Sequence, residues 1–118
     1  MDAPFAPGDD LIFQLESGFG LLRVIAVEAH ETVRVWHLMA YDEFFVDPAS
    51  AEAALLNPES LRVRRAHMAL TDRAFERTPA AKLGNRPVSE DEQGVYQNWR
   101  NSDGRVSDRS ALLMLGIR

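Results

Sequence analysis

Three histidines, His30, His37 and His67, are the side chains of this chain that can give and take a proton near neutral pH. His37 and His67 each sit in a stretch with the period of a β-strand and can face one another across a sheet. With Asp42 or Glu43 nearby they would form a two-histidine, one-carboxylate metal set. The same spacing equally suits one hydrogen-bonded core histidine and one edge histidine, so no metal or other cofactor is expected. His30 reads as a turn residue. A second constellation is Tyr41-Asp42-Glu43-Phe44-Phe45 beside Trp36, two acids inside an aromatic cluster. That composition suits a recognition surface: the rings of Trp36, Tyr41, Phe44 and Phe45 would anchor, and Asp42 and Glu43 would steer a basic partner. It also suits rings that are core and acids that point to water. Arg62, Arg64 and Arg65 could grip a phosphate, or pair with Asp42, Glu43 or Asp47.

Other chemistries are missing. With no cysteine among 118 residues, cysteine-ligated zinc, iron–sulfur clusters, thiol catalysis and disulfides are excluded. Gly18-Phe19-Gly20 lacks the third glycine of a phosphate-binding loop, the sole Lys82 belongs to no such motif, and no serine sits in a nucleophile elbow. No catalytic residue is therefore assigned. A net charge of −5 has the wrong sign for a protein that neutralises phosphates, which argues against nucleic acid as partner. The opening Met1-Asp2-Ala3-Pro4 is unlike a signal peptide, and the longest apolar run, seven residues from Ala111 to Ile117, falls short of a membrane helix. The expectation is a cytoplasmic, single-domain protein over residues 1–118, about one domain by length.

The elements that must position these residues start with three strands. Leu11, Phe13 and Leu15 alternate with Ile12, Gln14 and Glu16. Phe19 to Ala29 is rich in β-branched residues and nearly apolar throughout, which suggests cover on both faces. Thr32 to Ala40 puts Val33, Val35, His37 and Met39 on one face and Trp36 and Leu38 on the other. Connections this short make an antiparallel meander. Asp47-Pro48 opens a short helix that Asn57-Pro58 stops. From Leu61 the chain returns to strand, with a phase slip that asks for a bulge near Arg64-Arg65. Thr71 to Arg77 fits one or two helical turns, and Thr78 to Pro87 reads as the least structured interior stretch. Ser89-Glu90-Asp91-Glu92 is a capping box opening a helix to about Asn101, with Val95, Tyr96 and Trp99 on its apolar face. Ser107 to Arg118 is open between a short helix and a last strand.

Pro7-Gly8-Asp9-Asp10-Leu11-Ile12-Phe13-Gln14-Leu15, then Gly18-Phe19-Gly20 and the strand through Arg23-Val24-Ile25, resembles the SH3-like immunity proteins of bacterial polymorphic-toxin systems, of the immunity protein 26 type. Tyr96-x-x-Trp99 with Gly104 is similar to that family's later Tyr and Trp positions. The resemblance implies a bent, barrel-like sheet with helical additions and a role in binding and neutralising a toxin, with no catalytic residues to transfer. Asp9-Asp10 and the helix at Pro48 to Leu56 depart from it. The reading is an α+β domain with a four- to six-stranded antiparallel, partly barrel-like sheet, acting as a non-enzymatic binding protein for another protein such as a basic toxin. The alternative is a small enzyme or metal-binding domain using His37 and His67.

Overall fold

A computed structural model describes residues 4–31, 33–102 and 104–116. Five antiparallel strands form one sheet in the order β4-β3-β2-β1-β5: β1 Asp9–Leu15, β2 Gly18–His30, β3 Val33–Tyr41, β4 Val63–Thr71 and β5 Ala80–Asn85. The sheet is open, so the α+β architecture holds without closure into a barrel. Thr32, where the third strand was expected to begin, lies outside the described residues, as do Ile117 and Arg118.

β1 and β2 meet across a tight turn at Leu15↔Gly18, and Gly20 faces Phe13. A Cβ on Gly20 would lie 2.4 Å from the Phe13 ring, so the ring packs flat only because that position has no side chain. Register slips between Val24 and Ala26 let the long β2 bend. The bulge expected in β4 is present: Leu38↔Met68, Ala40↔Arg65 and Tyr41↔Val63 show the register slipping on both sides of Arg65.

The alternation divides the core by sheet face. One face buries Leu11, Phe13, Leu22, Val24, Trp36, Leu38, Met68 and Leu70 against helix α2 (Asp72–Glu76) and helix α4 (Ala111–Leu115). The other buries Ile12, Leu21, Ile25, Met39 and Tyr41 against helix α1 (Pro48–Ala54) and the Val88 and Tyr96 side chains around helix α3 (Glu90–Arg100). The C-terminal alternative resolves as helix, capped by Ser110 at its start and by Gly116 in the left-handed region at its end.

One sequence expectation is overturned. Residues 78–87 are not the least structured stretch, because β5 runs through them and pairs with β1 from Asp9↔Asn85 to Phe13↔Ala80. The prolines at 79 and 87 flank the strand instead of interrupting it, and an edge strand of weak apolar pattern leaves little periodicity to read.

The capping box is formed. Ser89 Oγ accepts from Glu92 N–H at 3.1 Å, and Glu92 Oε1 accepts from Ser89 N–H at 2.9 Å. Ser89→Ala is expected to cost about 1 kcal/mol. A urea titration should show a lower midpoint at unchanged slope.

Candidate functional site

The face under α3 carries a network of buried charge. Arg23, in β2, is 1% exposed, and its guanidinium spends its donors on five groups. Nε and Nη2 reach Glu92 of α3 at 2.6 and 3.1 Å. Nη1 donates to Gly8 O at 2.9 Å and to Asp10 at 3.3 Å, and Nη2 also donates to the carbonyls of Arg86 and Pro87 at 3.0 Å each. Arg86 grips Asp10 in turn with Nε at 2.7 Å and Nη2 at 2.8 Å, and Nη2 donates to Tyr41 OH at 3.0 Å. Gly8 fits here because its φ of +93° suits glycine and because a Cβ would stand 2.3 Å from Arg86 O. Burial would raise the Glu92 carboxyl, but the Arg23 hydrogen bond and the Ser89 N–H hold it below its ordinary value. The Asp10 hydrogen bond, opposed by burial and helped by Tyr41, raises the Arg86 guanidinium.

Above this network opens a groove of about 610 Å³. Leu61, Val63, Val95, Pro58 and Pro87 are among its apolar walls, with Tyr41, Arg86 and Glu92 at its polar side. Its exposed rim carboxylates are Glu59 and Asp91.

Further along the same face a second row crosses three strands. His37 Nε2 bonds Glu28 of β2, and His37 Nδ1 lies 2.9 Å from Nε2 of His67 in β4. A carboxylate can only accept, so His37 Nε2 carries a proton. A neutral His37 then accepts at Nδ1, His67 donates from Nε2, and the His67 Nδ1 lone pair remains available. Tyr96 and Trp99 of α3 close over the row edge-to-face, with centroids 4.6 and 4.5 Å from His37. Burial lowers His37 against the pull of Glu28, and burial, His37 and Arg65 bring His67 down to about 4.

The histidines therefore meet as the sequence allowed, but with a different carboxylate. Asp42 pairs with Arg64 at 3.1 Å, and Glu43 accepts from the Arg62 backbone N–H at 2.9 Å and its Nε at 3.4 Å. Glu28 approaches His37 from the nitrogen that faces away from His67. Among the described residues no three His, Asp or Glu side chains are grouped to hold a metal ion. The backbone of His30 is the last of β2 and pairs with Val33.

The aromatic surface is corrected in two members. Trp36 is 1% exposed and Tyr41 is 5% exposed, and they pack on opposite faces of the sheet. Trp36 Nε1 donates to Asp72. Adjacent positions on a strand point opposite ways, so Trp36 and Tyr41, five residues apart, cannot share a face. Of the rest, Phe44 is 49% exposed, whereas Phe45 is half-buried and bridges Phe19. Arg23, Asp10, Arg86, Glu92 and Glu28 were missed as a group; for Arg23, Asp10 and Glu28 the available signal was charge inside strands that otherwise read as core, whereas Arg86 lies just after β5 and Glu92 read only as a helix cap.

No protein-family model matches the sequence, and no curated protein or solved structure is significantly similar to it.

The low histidine values set a pH window. The unfolded chain binds protons at His37 and His67 from about 6.5 downward, whereas folded His67 stays neutral until about 4. Stability from this row is complete above 6.5 and is lost as pH falls toward 4. Urea unfolding across that window should show this slope, and His67→Gln should reduce it by about one proton.

Proposed function

We propose that this chain is a non-enzymatic binding protein, immunity-like in action, that seats an apolar, basic segment of another protein in the groove over β3, β4 and α3. The observation that supports it is the state of the charges there. Arg23, Asp10, Arg86 and Glu92 are consumed by one another and wall the groove, leaving no disengaged nucleophile or acid–base pair among the described residues that line it. The apolar walls offer anchor sites, and the rim carboxylates Glu59 and Asp91 on a chain of net charge −5 favour a cation. Asp42 and Glu43 are left a minor steering role, because their charges are already met by arginines.

The test is calorimetric titration with the purified product of the reading frame upstream of this gene. A stoichiometric complex weakened about tenfold or more by Val95→Asp or Asp91→Lys supports the reading. Equal affinity in wild type and both variants removes the groove, and absence of any complex removes toxin neutralisation. One observation favours the enzyme or metal alternative, namely that His37 and His67 do meet. Purified protein is expected to hold no stoichiometric zinc by elemental analysis; equimolar zinc would promote that alternative.

A further inference from the structure

Beyond β4 the histidine row ends at a second cavity, of about 360 Å³, separate from the groove. His67 and Trp99 line it, and so do Arg65, Arg105, Ser107 and Met114. Two features distinguish it. Its lining charges among the described residues are both arginines, on a chain that is acidic overall. Arg65 donates to Met114 O at 3.2 Å and keeps further N–H groups, while the exposed Arg105 side chain makes no ion pair among the described residues. The second feature is the His67 Nδ1 lone pair: the Glu28–His37–His67 order of donors makes that nitrogen an acceptor, and it has no partner among the described residues. Trp99 contributes an aromatic wall. Its position is fixed by its Nε1 bond to Arg105 O at 3.0 Å and its packing on both histidines. Ser107 is locked by backbone bonds to Ala69 and Thr71, so the far wall is rigid as well.

We propose that this cavity binds a small aromatic carboxylate that also bears a ring hydroxyl or ring N–H. The carboxylate meets Arg65 and Arg105, the ring lies against Trp99 between Met114 and Val106, and the ring donor reaches His67 Nδ1. The volume holds one substituted ring and lies at the small end of ligand pockets. Glu28 fixes the tautomer through His37, which makes it a positioning residue for the ligand's donor.

The probe is 4-hydroxybenzoate, added to the full chain and followed by nitrogen NMR of the histidine rings. Saturable binding that shifts His67 Nδ1 is expected. Neutral 4-hydroxybenzamide should bind about tenfold more weakly, as should 4-hydroxybenzoate to Arg105→Ala, a surface change that leaves the fold intact. Benzoate, lacking the hydroxyl, should leave the Nδ1 resonance in place. Val95→Asp in the groove should change none of these results, so the two sites fail or stand separately. No saturable binding of 4-hydroxybenzoate, or equal affinity in Arg105→Ala and wild type, would overturn the proposal.

Discussion

Replacing Arg23 with methionine is expected to cost about 3–5 kcal/mol, the usual result of removing one side of a buried ion pair. Methionine keeps most of the stem volume, so the loss is one of charge and hydrogen bonds. Asp10 retains Arg86, but Glu92 keeps only its capping bonds, and the carbonyls of Gly8, Arg86 and Pro87 lose their side-chain donor. Set against a typical domain stability of about 5–15 kcal/mol, that loss places the variant near the limit of folding. Urea titration with circular dichroism measures it. Arg23→Met combined with Glu92→Gln should recover part, because no uncompensated carboxylate remains beneath α3. The acid limb carries a second signature. A carboxyl held below its ordinary value by Arg23 contributes stability that is present above the unfolded pKa, near 4.5, and lost as pH falls through the folded one. In Arg23→Met the folded carboxyl loses that support, so the stability lost on acidification below about 4.5 should shrink, and an unchanged acid limb would show that Glu92 draws nothing from Arg23.

Trp36→Ala carries the other large effect, about 3–5 kcal/mol from lost burial and the cavity left behind. The ring is at the centre of the main core, 4.8 Å from Phe75 and 6.4 Å from Phe5 by centroid, with Arg34 over its outer side at 5.6 Å. Trp36→Phe should cost less, yet more than its volume alone implies, because Asp72 loses the indole N–H and keeps only Arg34. Thermal unfolding of both variants checks this. Near-wild-type stability in Trp36→Ala would mean that the ring is a surface group after all.

The local signals in the sequence carried far. The capping box at Ser89, the Asp47-Pro48 helix start, the meander and the β4 bulge all follow from groups within a few residues of one another, where hydrogen-bond geometry and side-chain alternation act directly. β5 was illegible because its partner, β1, is remote and its own pattern is nearly featureless. The site was half legible. His37 and His67 could be put on facing strands by their periodicity, but Glu28 could not be chosen over Asp42 or Glu43, since that depends on which side of the ring each strand delivers a carboxylate. Arg23 held a clue that a charge between Leu22 and Val24 in an apolar strand demands a partner. Its partners come from residues 8, 10, 86, 87 and 92, and no spacing rule links them.

The placement of β5 beside β1 also orders events in time. The first four strands pair with their sequence neighbours, β1 to β3 through tight turns and β3 to β4 across the segment 42–62 that carries α1, whereas Arg86 meets Asp10 across 76 positions of chain. Closing that loop is entropically the most demanding step, and its reward comes only when the strand edge and the Arg23 contacts form together. The meander is thus the early part of the fold, and β5 with α3 is the late part. Reversed, the same order describes a partial opening of the native protein, in which residues 80–100 detach while the meander persists. Hydrogen exchange would register it as one shared protection level for β5 and α3 below that of β2 and β3. Such an opening uncovers the groove floor and the histidine row in the same event, so occupancy at either place would slow exchange at both.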